Sequence, residues 1–294
     1  WSSDVCSSDL SSGRLLFTDI PGNVIWSLTP DGNASVFMTQ VGFTGPDQWR
    51  WGGMMTNGKP RTDPAFEEFA MIGANGLARD PQGRLVIATY AGRSIVRVEK
   101  DGKRTTLADR FEGKRFGGPN DIVVKRDGAI YFTDGNGAYR LGVKDPRREL
   151  QAGGVFMVKD GKVTRVVADM PNVNGLALSP DEKYLYVNAS VLKFVNRYEV
   201  HADGTVANPT RLLDVTKEPG DGITDGMRVD TKGNIYETVP SGDIWILSPD
   251  GKHLGTIHVP EISANLAFGD PDRKTLYIAA RTSIYKIKVN TPGI

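Results

Sequence analysis

The chain repeats a unit of about 40–50 residues, and this recurrence constrains the fold more than any other feature of the sequence. Each copy opens with an Asn or Asp before an apolar run, turns through a segment rich in Asp, Pro and Gly, and continues with further β-forming runs. The copies align at five residues: Asn75, Asn120, Asn174, Asp225 and Asn265. The intervals between these residues are 45, 54, 51 and 40. A period of this length with about four β-runs per unit is typical of a β-propeller.

The N-terminal part of the chain supplies one more copy. The β-rich runs between Gly13 and Thr39 match the last three strands of a unit whose first strand should lie upstream. No segment carries helical periodicity long enough to compete. We therefore predict an all-β fold, a six-bladed β-propeller with four-stranded antiparallel blades. It forms a single domain over residues 13–294, and its first blade is expected to be incomplete at the N-terminus, without its innermost strand.

Residues 1–12, WSSDVCSSDLSS, differ from the rest of the chain. They are rich in Ser and Asp, show no strand pattern, and lack the charged start and apolar middle of a signal peptide. We predict that this segment is a non-native N-terminal remnant. It contains Cys6, the only cysteine of the sequence, so the chain has neither an internal disulfide nor a cysteine-based zinc site.

The charge balance and hydropathy narrow the range of partners. Thirty-six basic and 35 acidic residues give a net charge of +1, and no basic stripe stands out. No apolar run approaches the ~20 residues that a membrane-spanning helix needs. We expect a small-molecule substrate, with neither nucleic acid nor a membrane as a partner. The oligomeric state stays open, and so does the choice between cytoplasm and periplasm.

The five aligned residues are the candidate site. The first strand of each propeller blade lines the central channel, so residues that begin these strands are expected to meet at one mouth. One carboxylate and four amides form an oxygen-only set, which suits Ca²⁺, Mg²⁺ or Mn²⁺. The absence of His and Cys argues against a dedicated zinc site. Asp225 could bind the cation or accept a proton from the attacking water, and the residues alone leave both roles open.

A plainer interpretation applies to each asparagine taken singly. Asn at a strand start often satisfies hydrogen bonds of a turn or of the backbone. Its recurrence at one structural position favours a shared site for the set. Other catalytic patterns are missing: the sequence has no Gly-x-Ser-x-Gly elbow, and nothing links its three histidines to a nucleophile. Trp49 and Trp51, in the irregular region 41–72, either line the mouth of the pocket or pack over the channel end.

Several longer motifs resemble the gluconolactonase/senescence-marker/luciferin-regenerating-enzyme family of six-bladed propellers. The motifs are LLFTDIPGNVIW, NGLARDPQGRL, LADRFEGKRFGGPNDIVVKRDGAIYFTD, NVNGLALSPDEKYLYV, TDGMRVDTKGNIY and NLAFGDPDRKTLYIAARTSIYKIKV. The resemblance covers residues 13–294. It implies hydrolysis of lactones or related esters with one divalent cation at the channel mouth, Ca²⁺ being the first expectation and Zn²⁺, Mn²⁺ or Mg²⁺ the alternatives.

The same resemblance implies roles for individual residues. Asn174 and Asp225 match metal ligands of the family, and Asp225 is also its favoured general base. Asn120 matches a residue that binds the metal, the substrate or water, depending on the member. Asn75 and Asn265 match positions that line the substrate pocket.

The sequence departs from the family pattern in three places. The family's first metal ligand is a Glu in the inner strand of blade one, and residues 1–12 hold that place without a Glu. Either the native start is absent from this sequence or the protein binds its metal with three protein ligands. We favour the first, because the residues that follow match the family closely. Tyr90 stands where sugar lactonases often have His, and Gly117–Gly118 stand where they often have Asn-Ser. Both segments are expected near the pocket, with Tyr90 and Trp49 among the substrate-binding residues.

Four functions fit these observations to different degrees. The leading hypothesis is a divalent-metal-dependent lactonase in which water attacks a metal-polarised carbonyl. A phosphotriesterase-like hydrolase would use the same metal site with another pocket shape. A propeller that binds a ligand without turnover, and a structural repeat protein whose asparagines only form hydrogen bonds, are the non-enzymatic alternatives.

Overall fold

In the computed structural model of the chain, the described residues are the backbone of 3–4 and residues 13–45, 55–70, 72–135 and 138–294. Their strands form six antiparallel sheets of three or four strands, and two short hairpins lie between the sheets. Trp49 and Trp51 lie outside the described residues. The predicted all-β, six-bladed propeller is confirmed.

The strands follow the repeat of the sequence. The first sheet contains β1 (Ser3–Asp4), β2 (Leu15–Asp19), β3 (Val24–Leu28) and β4 (Ala34–Thr39). A hairpin of β5 (Met55–Thr56) and β6 (Glu68–Phe69) follows it. The second sheet contains β7 (Ala74–Arg79), β8 (Leu85–Thr89), β9 (Ser94–Val98) and β10 (Arg104–Ala108). A second hairpin is made of β11 (Arg110–Phe111) and β12 (Lys114–Arg115).

The remaining four sheets repeat the pattern. The third contains β13 (Pro119–Val124), β14 (Ile130–Asp134), β15 (Gly154–Lys159) and β16 (Lys162–Val167), with a 3₁₀ helix at Gly142–Lys144 between β14 and β15. The fourth contains β17 (Val173–Leu178), β18 (Tyr184–Ala189), β19 (Phe194–Val200) and β20 (Val206–Asp214). The fifth contains β21 (Met227–Val229), β22 (Ile235–Thr238), β23 (Ile244–Leu247) and β24 (His253–Ile257). The sixth contains β25 (Ser263–Gly269), β26 (Thr275–Ala280) and β27 (Ile284–Lys288).

Two sheets differ from the expectation. The first sheet was expected to lack its innermost strand, but the two-residue strand β1 pairs there with Thr18 and Asp19 of β2. The sixth sheet has three strands among the described residues instead of four. The placement of Ser3–Asp4 brings part of segment 1–12 into the ring, and the domain boundary at residue 13 stays a prediction.

Burial within each sheet follows from the stacking of the blades. The second strand is buried along almost its whole length, as in β8 (LVIAT) and β14 (IYFTD), because neighbouring blades cover both of its faces. The outermost strand β4 is largely exposed. The second strands are therefore largely apolar in the sequence, whereas β4 (ASVFMT) leaves even Val36 and Phe37 exposed at the outer edge.

The ring closes between the sixth and the first sheet. Leu15 of β2 packs in one buried cluster with Ala267 of β25 and with Tyr277 and Ala279 of β26. These four side chains are all nearly inaccessible to solvent. This apolar junction packs the sixth blade against the first. Among the described residues, the chain has no helix that is long and apolar enough to span a membrane.

Candidate active site

A β-bulge begins the inner strand of three consecutive blades. Each of the inner strands β7, β13 and β17 has two residues that are left out of the pairing with the second strand of its blade. In each case the first of these two residues is a candidate site residue. The skipped pairs are Asn75–Gly76, Asn120–Asp121 and Asn174–Gly175. Such bulges release backbone groups from the ladder and re-aim side chains. The bulges therefore turn these asparagines away from regular sheet positions at one end of the channel.

The five candidate residues are neighbours around the ring. A Cβ atom at Gly76 would lie 2.7 Å from the carbonyl oxygen of Asn120, and one at Gly175 would lie 2.0 Å from that of Asp225. Each glycine thus packs against the backbone of the next candidate residue, and no larger residue would fit.

The remaining neighbours are joined by other contacts. The hydroxyl of Thr133 donates a 2.6 Å hydrogen bond to the carbonyl oxygen of Asn174, and it also accepts one from the N–H of Asp121. A Cβ atom at Gly226 would lie 2.2 Å from Cγ of Asn265. The structure therefore brings Asn75, Asn120, Asn174, Asp225 and Asn265 together in ring order.

The side-chain oxygens of two asparagines are suited to a ligand. Oδ1 of Asn75 and Oδ1 of Asn174 are buried and accept no hydrogen bond within the described part of the chain. A buried amide oxygen without a partner is costly unless a ligand, an ion or water satisfies it. Asp225 is half-buried, so its carboxylate can reach the mouth of the channel. Asn265 differs, because its Oδ1 accepts a 2.8 Å hydrogen bond from the N–H of Leu266.

These residues fit a hard cation through their chemistry. Amide and carboxylate oxygens are the ligands that Ca²⁺ and Mg²⁺ prefer. Among the described residues, no group of three or more His, Cys, Asp or Glu side chains is placed to hold a metal. A cation held by Asn120, Asn174 and Asp225 would thus have two amide oxygens and one carboxylate as its protein ligands.

A buried polar layer lies behind the ring. Asn188 is fully buried, and its Nδ2 donates to the carbonyl oxygen of Asp225 at 2.5 Å and to Oε1 of Glu237 at 2.8 Å. Burial raises the pKa of Glu237 well above its usual range, the hydrogen bond from Asn188 opposes the rise, and the negative charges of Asp225 and Asp121 add to it. Oε2 of Glu237 accepts no hydrogen bond within the described residues.

Tyr90 was expected to bind substrate, and it lies in an apolar cluster above the second and third blades. Its buried ring belongs to the same cluster as Met55 and Phe69 of the hairpin β5–β6 and as Tyr139. The cluster, called the roof below, therefore lies at the end of these two blades where β7 and β13 begin. A substrate contact of Tyr90 stays a prediction, and so does that of Trp49, which lies outside the described residues.

The roof is held by a buried arginine. Nε of Arg93 donates a 2.6 Å hydrogen bond to the carbonyl oxygen of Phe116, and NH1 contacts both Oε1 of Glu67 and the hydroxyl of Tyr139. Burial lowers the pKa of Arg93, which the neighbouring Glu67 and Glu149 partly offset. This network ties the irregular region 41–72 to the second and third blades.

The segment Gly117–Gly118 is also part of this end of the ring. Both N–H groups donate to the fully buried carboxylate of Asp134, at 2.9 Å and 2.7 Å. Burial raises the pKa of Asp134, and these two hydrogen bonds oppose the rise. The two glycines therefore position the start of β13, which carries Asn120.

The other end of the channel is different in character. A cavity of about 580 Å³ opens there, lined by the downstream halves of the inner strands, including Arg79, Leu178 and Arg228. NH1 of Arg228 lies 3.5 Å from Oδ2 of Asp121, which connects this end to the polar layer behind the ring. The histidines His201, His253 and His258 are all exposed.

Sequence reasoning did not single out Thr133, Asn188, Glu237 or Arg93. Thr133, Asn188 and Glu237 lie near the end of the second strand of a blade, and Arg93 follows such a strand. The local sequence does not indicate that any of these side chains contacts the next blade. The only available signal was a polar residue at the end of an otherwise apolar buried strand, as in IYFTD and YLYVNA.

The fold and this ring define a six-bladed propeller with a polar, oxygen-lined site at one mouth of its channel. The family model described as the SMP-30/gluconolactonase/LRE-like region matches residues 5–282. The chain belongs to this family.

Individual relatives agree with that assignment. A gluconolactonase of Zymomonas mobilis is 33% identical over 290 residues, which cover 95% of this chain and 76% of that protein. The structure of a gluconolactonase from Xanthomonas campestris matches with a TM-score of 0.75 at 27% identity, covering 99% of this chain and 86% of the other. Regucalcin of Agrobacterium tumefaciens, a calcium-binding protein, shares the fold with a TM-score of 0.73 at 19% identity, covering 99% and 91% of the two chains.

Proposed function

We propose that the protein hydrolyses lactones, sugar lactones or related cyclic esters, with one divalent cation bound at the channel mouth. The observation that carries the proposal is the series Asn120, Asn174 and Asp225 on consecutive blades, in which Oδ1 of Asn174 is buried without a hydrogen-bond partner. The gluconolactonases that resemble the whole chain supply the reaction class.

Asn120, Asn174 and Asp225 would hold the cation. When bound, it would supply Lewis acidity toward the carbonyl oxygen of the lactone. Ca²⁺ is the first candidate because the donor atoms are all oxygens and regucalcin, of the same fold, binds calcium. Zn²⁺, Mn²⁺ and Mg²⁺ are the alternatives to be compared in the same assay.

Residues of the chain transfer the proton, orient the substrate and line the mouth of the channel. The carboxylate of Asp225 accepts a proton from the attacking water, for which its half-buried position at the mouth is suitable. Asn120 orients the substrate or the water in addition to binding the cation. Asn75, Asn265 and Tyr90 line the mouth on the neighbouring blades, with Trp49 as a further predicted contact. The roof over the second and third blades limits the entry of water.

Asp225→Asn tests the proposal against Asp221→Asn, the same change at an exposed position of the same loop. We expect Asp225→Asn to lower cation-dependent lactone hydrolysis by at least ~100-fold, since both a charged ligand and the general base are lost. The control should retain activity, and circular dichroism should show the β fold in both. Full activity of Asp225→Asn would refute the assignment.

The substrate panel separates the alternatives. Lactones and organophosphate triesters are compared with each of the four cations after removal of bound metal. Faster turnover of the triesters would favour the phosphotriesterase-like function. Turnover of neither class with any cation would favour a non-catalytic propeller.

A further inference from the structure

Two buried side chains connect the three proposed ligand residues in series. The hydroxyl of Thr133 accepts a 3.0 Å hydrogen bond from the N–H of Asp121, which follows Asn120, and donates to the carbonyl oxygen of Asn174 at 2.6 Å. Thr133 thus joins the backbone beside one proposed ligand to the backbone of the next.

Asn188 repeats this arrangement one blade further. Its Oδ1 accepts a 2.9 Å hydrogen bond from the N–H of Gly175, which follows Asn174, and its Nδ2 donates to the carbonyl oxygen of Asp225 at 2.5 Å. Nδ2 also donates to Oε1 of Glu237, so the partners on both sides fix the orientation of the amide.

The two residues occupy the same position in the repeat. Thr133 precedes Asp134, the partner of Pro119 at the start of β13, and Asn188 precedes Ala189, the partner of Val173 at the start of β17. Both side chains are fully buried. Two different residue types therefore perform the same connection at equivalent positions.

The propeller fold does not require this connection. The equivalent residue of the second blade is Ala88, since Ala74 pairs with the following Thr89. Ala88 cannot form a side-chain hydrogen bond, and Gly76 nevertheless packs against the backbone of Asn120 there. The connection occurs between the third, fourth and fifth blades, which carry the proposed cation ligands.

We infer that Thr133 and Asn188 are positioning residues that fix the spacing of Asn120, Asn174 and Asp225 across three adjacent blades. The inference rests on the proposed function, because it concerns the affinity of that site for its cation. Groups that orient metal ligands typically change metal affinity by about 10–100-fold when they are removed. Removing Thr133 or Asn188 should therefore weaken cation binding by more than the loss of one buried hydrogen bond lowers the free energy of unfolding.

Thr133→Val is the principal variant, because it keeps the shape of the side chain and removes only the hydroxyl. Thr133→Ser restores the hydroxyl and serves as the rescue. Asn188→Asp is the second variant, which keeps the acceptor for Gly175 and replaces the donor to Asp225 with an oxygen.

Thr89→Val is the matched control. Thr89 is buried at the end of the second strand of the second blade, and its hydroxyl bonds Ser94 within the same blade. The control therefore makes the same chemical change without touching a contact between blades.

The readouts are the Kd for Ca²⁺, and then for Mn²⁺, measured by calorimetry on the metal-stripped full chain, together with the Tm of the metal-free protein. We expect Thr133→Val and Asn188→Asp to raise the Kd by about 10–100-fold. Thr133→Ser should restore it, and Thr89→Val should leave it unchanged while lowering the Tm as much as Thr133→Val does.

An unchanged Kd in a folded Thr133→Val protein would overturn the inference, as would an equal rise in Thr89→Val. Asp225→Asn is measured beside these variants. Loss of binding in that variant alone would leave the proposed function in place and refute only the positioning role. Absence of cation binding in the parent chain would refute both.

Discussion

Gly175 and Asp225, on adjacent blades, approach each other so closely that a Cβ atom on the glycine would lie 2.0 Å from the carbonyl oxygen of Asp225. The obstacle is backbone, which cannot move aside as a flexible side chain can. Gly175→Ala should therefore separate the fourth and fifth blades at the site. Overpacking of this kind costs about 1–3 kcal/mol.

The matched substitution is Gly255→Ala, where a Cβ atom would meet nothing within 4 Å. In urea titrations, Gly175→Ala should lose stability and cation affinity together, whereas Gly255→Ala should stay near the parent in both. Equal behaviour of the two variants would contradict the close approach.

Asn75 and Asn174 offer a second comparison, since Oδ1 of each is buried without a hydrogen-bond partner. Alanine at either position should change the metal-free stability by less than ~1 kcal/mol, because the lost oxygen makes no bond there. Only Asn174→Ala should abolish the rise in Tm on adding Ca²⁺, which reports binding to the folded state. Asn75→Ala should instead raise the KM for the lactone. Loss of the Ca²⁺ effect in Asn75→Ala alone would reverse the two roles.

Glu237 should make the metal-free protein sensitive to pH. Burial raises the pKa of this glutamate well above the ordinary value of 4.5, so the folded state keeps a proton that the unfolded state releases. The stabilising effect is fully present below the unfolded pKa and is lost as pH rises toward the folded pKa. Glu237→Gln should remove this loss, so its Tm advantage should grow as the pH rises above the unfolded pKa of the glutamate.

Glu261→Gln is the control of opposite sign. The hydrogen bonds of Tyr285 and Thr282 lower the pKa of Glu261 to about 2. Its contribution is therefore present above the unfolded pKa and fades only in acid. A Tm difference for Glu237→Gln that is constant across the neutral range would refute a raised pKa.

We expect Arg93 to stabilise the roof, the apolar cluster of Met55, Phe69, Tyr90 and Tyr139. Its guanidinium is buried between the carbonyl oxygen of Phe116, Glu67 and the ring of Tyr139. Arg93→Met would leave the carbonyl oxygen of Phe116 without its donor, and a buried acceptor left unsatisfied costs about 1–3 kcal/mol. Arg61→Ala removes an exposed arginine from Glu68, which keeps Arg140 as a second partner, so this variant should cost less. Similar urea midpoints for the two variants would contradict this difference.

The ring was predictable because it depends on repetition alone. Aligning the repeats at Asn75, Asn120, Asn174, Asp225 and Asn265 placed these residues on equivalent strand starts, and the propeller brings such positions together. The hairpin after Asp225 follows the same repeat pattern, an apolar run and then a turn. Met227 and Val229 are buried, and the turn that follows is closed by hydrogen bonds to Asp230.

The connections between blades were not predictable in the same way. Thr133 and Asn188 follow apolar strand residues, and their roles depend on the register of two sheets and on the distance to a third. In the sequence, Glu237 is one polar residue in the strand IYET. The sequence does not predict its complete burial, which depends on the neighbouring blade. Tyr90 was placed near the pocket by resemblance, but only the packing of the hairpin β5–β6 shows that its ring lies in an apolar roof.

The junction between the sixth and first blades has a mechanical consequence. Among the described residues, the sixth and first sheets meet through the contact of Leu15 with Ala267, Tyr277 and Ala279 and through the neighbouring strands β1, β25 and β26. Asn120 and Asn174 lie on the two blades farthest from it around the circle. The closing junction and these two proposed ligands thus lie on opposite sides of the ring, so a local displacement at the junction should move them little.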